Sequence, residues 1–198
     1  QLASAGIDYI GVNANDAGNI TITDDQASLL VGAGLAFADA GDFAALADQD
    51  QITVGADAAA GTHLKTSLQD LQKLGVDTVL VTGSDSVTVD LGAAGFGADG
   101  GALSGGNLPI FGDIDNSGAV SASEDAALSV TLNLDGDTVD TQIGNVVDLA
   151  QQLADAGIDY IGVNASATGE ITISDDQASA LVGAGLAFAD AGNIGANP

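Results

Sequence analysis

Of 198 residues, 28 are acidic and only two, Lys65 and Lys73, are basic, for a formal net charge of −26. Nothing in such a chain can neutralise phosphates, which argues against nucleic acid and anionic lipid as partners. The absence of cysteine excludes disulfides, thiolate metal sites and cysteine nucleophiles.

Hydrophobic residues make up 46% and the mean hydropathy is +0.31, so a core can be buried. Aromatics are only 4%, and much of the hydrophobic content is alanine, which predicts a thin core with closely spaced helices. No apolar run is long enough to cross a bilayer, and no membrane insertion is expected.

Taken in order, Thr23-x-x-Gln26 is a capping box that opens a helix running to Gly34, with Ala27, Leu30 and Val31 on one apolar face. Leu35-Ala36-Phe37 reads as a short extended segment and Gln51–Val54 as a strand. Leu64, Leu68, Leu71 and Leu74 fall at helical spacing, and Gly75 stops that helix. Thr78–Val81 and Ser86–Val89 follow as strands, and the order strand, helix, strand predicts a crossover between parallel neighbours. The glycine-rich stretch 92–109 reads as an irregular loop. Ser129–Leu134 is a strand, and a stripe from Val139 to Leu153 predicts a helix ending at Gly157. Tyr160–Val163 and Glu170–Ile173 are the last strands.

The chain writes its opening segment twice. Gly6-Ile7-Asp8-Tyr9-Ile10-Gly11-Val12-Asn13 returns at Gly157 with an offset of 151 residues, and the match runs on to Gly41 and Gly192. Differences concentrate between Asn15 and Asn19, a polar loop. A copy of this fidelity points to a tandem array. Gly75-Val76-Asp77 divides the period again, so residues 1–151 read as one full period of two diverged half-units, about 1–74 and 75–151. Residues 152–198 read as the start of the next period. Gln1–Gly6 matches Gln152–Gly157, which in the second copy is the tail of a longer helix, so the sequence is expected to open inside a repeat element. The predicted fold is α/β: a tandem repeat of strand-helix-strand units with short parallel or mixed sheets and Ala-rich helices.

Only Glu124 and Glu170 are glutamates; the other 26 acidic residues are aspartates. Short carboxylates beside Gly and Asn suit turns and calcium ligation, and a chain this acidic repels itself unless cations screen or bind it. The sharpest motif is Gly112–Glu124. Asp113, Asp115 and Ser117 stand at positions one, three and five of a twelve-residue loop, Gly118 takes its turn, the Ala119 carbonyl is at seven and Glu124 at twelve. Alternating oxygen ligands let a chain wrap a hard cation. Val120 stands where such loops make a short strand contact, and Ser121-x-x-Glu124 is also a capping box. Weaker versions lie in the duplicated segments: Asn13, Asn15, Ala17, Gly18 and Asp24, and again Asn164, Ser166, Thr168, Gly169 and Asp175. Asn or Ser in place of Asp removes charge, so these are expected to bind weakly or not at all.

Gly112–Leu128 resembles a dockerin-type or EF-hand calcium loop. Dockerins hold two such loops close together, whereas here the loop starts are far apart, at Asn13, Asp113 and Asn164, which argues against cohesin binding. In style, the alternation of capped Ala/Leu helices, Gly-Val-Asp ends and Thr-rich strands resembles the tandem modules of giant, acidic, secreted bacterial surface proteins. That resemblance implies an extracellular, cell-surface structural repeat of the adhesin, surface-layer or filament kind, stabilised by calcium and partnered by copies of itself end to end. The alternative is a calcium-dependent module that binds a glycan or a protein through the 92–109 loop. Gly95-Phe96-Gly97-Ala98-Asp99-Gly100 matches G-x-G-x-x-G, but no helix pattern follows it, so no dinucleotide site is expected. His63 is the single histidine and reads as a surface residue; no catalytic set and no enzyme activity are expected.

Overall fold

Short runs of β-branched residues between glycines and aspartates give this chain many brief strands. The computed structural model describes residues 3–11, 20–37, 52–57, 62–92, 108–134, 139–163 and 173–189. After a 3-10 turn at Ala3–Ala5 come β1 (Tyr9–Ile10), β2 (Ile20–Thr23), α1 (Asp24–Gly32), β3 (Ala36–Phe37), β4 (Ile52–Asp57) and β5 (Thr62–His63). Then follow α2 (Leu68–Leu74), β6 (Thr78–Thr82), β7 (Ser86–Asp90), β8 (Ile110–Asp113), α3 (Ala122–Asp125) and β9 (Ser129–Leu134). The described chain closes with α4 (Val139–Asp148), α5 (Ala150–Asp155), β10 (Tyr160–Val163), α6 (Asp175–Ala184) and β11 (Ala187–Phe188).

Every strand pair among the described residues is parallel. One sheet has the order β2-β4-β6-β8, a second β5-β7-β9-β10-β11, and β1 pairs with β3. From β4 to β9 successive strands alternate between the two larger sheets, so each sheet grows by strands two apart in sequence. The expected parallel pairing of β4 with β6 is present, with Val54 opposite Val79. The next strand, β7, lies in the other sheet and pairs with β9. Between β4 and β9 the chain thus passes back and forth between two sheets, while β4-α2-β6 and β9-α4-α5-β10 each close a strand-helix-strand unit within one sheet.

Alternation explains the winding. In β9, Val130, Leu132 and Leu134 are buried while Ser129, Thr131 and Asn133 are half-exposed, the period-two pattern of a strand with one covered face. β7 does the same with Val87 and Val89. A sheet covered by helices on both faces would read as continuous apolar runs instead. Val79 and Ile110 of one sheet, Val87, Leu132 and Ile161 of the other, and Leu71 and Leu153 of the helices belong to one core.

The capping box at Thr23 forms as the sequence predicts: the Thr23 hydroxyl accepts from the Gln26 amide at 3.2 Å and Gln26 Oε1 accepts from the Thr23 amide at 2.9 Å. α2 begins later than the leucine spacing suggests, because β5 occupies Thr62–His63 and Ser67 caps the helix. Leu64 is buried ahead of that helix. The predicted helix from Val139 to Gly157 is two helices, broken at Leu149, whose φ of −102° and ψ of 3° leave helical geometry. Of the predicted strand at Glu170–Ile173 only Ile173 is described, and it is not in a strand. The 93–107 part of the glycine-rich loop, with its G-x-G-x-x-G, lies outside the described residues.

Among the described residues the duplicated segments share a parallel strand pair and a capping box, although Ile22 and Thr23 are in a strand and Ile173 and Ser174 are not. Tyr9 and Ile10 stand opposite Ala36 and Phe37, and Tyr160 and Ile161 stand opposite Ala187 and Phe188. Ser174 repeats the capping box of Thr23 at the start of α6.

Candidate metal centre

β8 ends in Asp113, whose neighbour across the sheet is Thr82 of β6. The strand therefore delivers a carboxylate to the edge of the core, where it is only 1% exposed. The turn that follows needs two unusual backbone conformations: Asn116 has φ 54° and Gly118 has φ 82°. Glycine reaches the second without the strain a Cβ brings, and asparagine tolerates the first. Ser121 then caps the four-residue α3. Gly112 lets that helix close on the strand, since a Cβ there would meet Leu128 Cβ at 3.2 Å and the Glu124 carbonyl at 3.3 Å.

This turn folds the chain around its own carboxylates. Asp113 Oδ1 accepts from the Ser117 amide at 2.9 Å, and Oδ2 from the Gly118 amide at 2.8 Å. Asp115 Oδ1 also accepts from the Ser117 amide, at 3.0 Å. Glu124 reaches back across the loop: Oε1 accepts from the Asp115 amide at 3.1 Å, while Oε2 takes the Ser121 amide at 3.2 Å and the Ser121 hydroxyl. Ser117 Oγ donates to the Ala119 carbonyl at 3.3 Å, so these two oxygens face each other within the loop. The Ser121 hydroxyl, ahead of the Asp115 amide, holds the Glu124 carboxyl below its ordinary range.

Asp113, Asp115 and Glu124 each offer an oxygen within 4.8 Å of the others, and the group is placed to hold a metal ion. It is the one such convergence found among the described residues. All of its donors are oxygen, and the nearest supplements, Ser117 Oγ and the Ala119 carbonyl, are oxygen too. Such a set suits a hard divalent cation rather than zinc or copper, which favour nitrogen and sulfur. No protein-family model, curated protein or solved structure matches this chain. The chemistry of the loop itself therefore carries the reading.

The remaining predicted residues fall differently. Asn13, Asn15, Ala17 and Gly18 of the first weak loop lie outside the described residues, as do Asn164, Ser166, Thr168 and Gly169 of the second. Asp24 is the first residue of α1, and its carboxylate accepts from the Lys65 amide at 2.7 Å and the Thr66 amide at 3.2 Å. Asp175 opens α6 and is exposed. Val120, assigned a strand contact by the sequence, is 45% exposed and in no strand. That contact requires a second loop facing the first, and none is described beside it. His63 is on the surface, with Nε2 2.9 Å from Asp90 Oδ2, and Asn133 Nδ2 donates to the other Asp90 oxygen at 2.8 Å.

Sequence reasoning missed the contacts of Asp24 and its neighbour Asp25. Lys65 Nζ pairs with Asp25, and that hydrogen bond, with the charge of Asp25, raises the Lys65 amino group above its ordinary range. The Asp-Asp pair meets one of the chain's two lysines from 40 residues away, and no local pattern marks that pairing.

Proposed function

We propose that this chain is a structural repeat of an extracellular surface polymer, stiffened by calcium bound in the Asp113 loop and partnered by further copies of the same period. The observation that carries the calcium part is the convergence of Asp113, Asp115 and Glu124 about the Gly118 turn. Three carboxylates drawn together, of which Asp113 is buried, repel one another in a chain of net charge −26, and salt relieves that only beyond a Debye length of about 8 Å. A divalent ion inside the loop removes the repulsion and is ligated at once. Calcium is favoured over magnesium because a twelve-residue loop with carboxylate, hydroxyl and carbonyl donors suits its larger, flexible coordination sphere. Asp113, Asp115, Ser117, the Ala119 carbonyl and Glu124 are the ligands in this reading.

The structural role rests on the duplicated sequence and on strands that add to parallel sheets one after another. In repeat proteins of this kind each unit contacts only its neighbours, and stability accrues unit by unit. No enzyme activity is part of the proposal.

The test is thermal. Extracellular calcium modules bind at roughly 10⁻⁴ to 10⁻³ M. At ten times the dissociation constant, linkage contributes about 1.4 kcal/mol, and a chain of this size gains about 2–4 °C of Tm per kcal/mol. Melts in millimolar calcium should lie about 3–6 °C above melts in chelator. Asp113→Ala should abolish the difference and Asn13→Ala should leave it. Coincident melts, or a full response from Asp113→Ala, would sink the calcium reading.

A further inference from the structure

We infer that the outer face of α6 seats a segment equivalent to Thr62–Leu74, supplied by a further copy of this chain's own period. The inference rests on the tandem-repeat reading above and not on its calcium.

From Asp24 to Gly34, α1 differs from α6 in sequence only at Leu29/Ala180, and both open on the same kind of capping box, yet they are covered on different flanks. α6 packs on α4 and α5, while α1 packs on α2. Leu181 of α6 is buried in the core; its counterpart Leu30 in α1 is only half-buried. The reverse holds on the other side. Ala27 is buried against the core and its counterpart Ala178 is half-exposed. Val31 is half-buried, whereas its counterpart Val182 is 74% exposed. Each copy therefore shows what covers one flank of the helix, and together they show both. A third position, Leu29 in α1 and Ala180 in α6, is exposed in both copies and marks the flank that faces solvent throughout.

An apolar flank alone would accept any hydrophobic helix; the charges narrow the choice. Against α1 the occupant is already present: the amides of Lys65 and Thr66 donate to Asp24, and the Lys65 amino group pairs with Asp25. The counterparts Asp175 and Asp176 are exposed at the same place on α6. In a chain with 28 acidic residues, a neighbour that approaches an Asp-Asp pair without a cation is repelled. The Thr62–Leu74 segment brings the cation, two free amides and the apolar face of α2 in one piece. Continuity with the α1–α2 junction thus names the occupant.

Because the chain has no cysteine, single thiols report the covering directly. Val182→Cys and, separately, Ala180→Cys would be placed in the 198-residue chain and in a chain extended in register past Pro198 by a second copy of residues 48–134. Reaction with a thiol reagent should be fast for both variants in the 198-residue chain. In the extended chain Val182→Cys should slow by about tenfold or more, the protection of a site reached only by local opening, while Ala180→Cys keeps its rate. Replacing the appended copy's counterpart of Lys65 with alanine should restore part of the lost reactivity. Equal rates for Val182→Cys in the two chains would overturn the inference, and so would an equal slowing of both variants, which marks unspecific covering. Protection that persists in chelator supports this inference even where the calcium reading has failed.

Discussion

Ile158 and Ile7 occupy the same place in the two copies, but Ile158 is 3% exposed and Ile7 is 40% exposed. Truncating each to alanine removes the same three carbons, worth about 0.8 kcal/mol apiece on complete burial. For Ile158→Ala nearly all of that transfer term is lost, and the packed surroundings leave a cavity. The expected cost is about 3–4 kcal/mol, inside the usual range of about 2–5 for such a change. For Ile7→Ala only about six-tenths of the surface is hidden, so the transfer term falls to about 1.4 kcal/mol, and solvent fills the gap. At about 2–4 °C per kcal/mol, the first variant should melt about 6–16 °C below the parent and the second about 3–6 °C below it. Differential scanning calorimetry of both variants at one calcium concentration measures the pair. Equal losses, or a larger loss for Ile7→Ala, would refute the one-sided covering of the two copies.

Other outcomes follow from the loop and the α1–α2 junction. Gly118→Ala places a Cβ where nothing lies within 4 Å, so its cost is left-handed backbone strain alone, about 1–2 kcal/mol, read from melts in chelator. Because the Glu124 carboxyl is held below its ordinary range, its contribution is present above about pH 4.3 and is lost as pH falls through the lower folded value. Ser121→Ala removes the main cause and brings the folded value back toward the unfolded one, so Glu124's share of the acid loss of Tm in chelator should be smaller than in the parent. Lys65→Ala should cause a small loss of Tm that shrinks in high salt, since the Lys65–Asp25 pair is exposed. The Lys65 amino group is raised by Asp25, so that contribution is complete below about pH 10.4 and disappears as pH climbs through the raised value.

Local chemistry was the legible part of this sequence. Thr23 and Ser174 announce their helices because a hydroxyl and a Gln three residues on satisfy two amides whatever surrounds them. Gly75 announces the end of α2 for an equally local reason, its φ of 87°. The alternation in Ser129–Leu134 marks both the strand and its buried face. Asp113, Asp115 and Glu124 were legible as a set because one short loop brings them together. The sheet to which a strand belongs was not legible: Ser86–Asp90 looks the same in sequence whether it pairs with β6 or β9. Strands of two residues, such as β1, β5 and β11, carry no periodicity to find. The partners of Asp24 lie 41 and 42 residues away and leave no mark at Asp24 itself.

The most direct measurement is a calorimetric titration of calcium into the full chain, stripped with chelator, beside the same titration of Asp113→Asn. Asparagine keeps the shape of the side chain and one oxygen, which serves either the Ser117 or the Gly118 amide but not both, and removes the charge an ion needs. The parent should show a saturable site with Kd of roughly 10⁻⁴ to 10⁻³ M and weaker heat with magnesium, and Asp113→Asn should show no such site. A parent chain that takes up no calcium at millimolar concentration, or an Asp113→Asn variant that binds it as the parent does, would rule out a calcium site in the Asp113 loop.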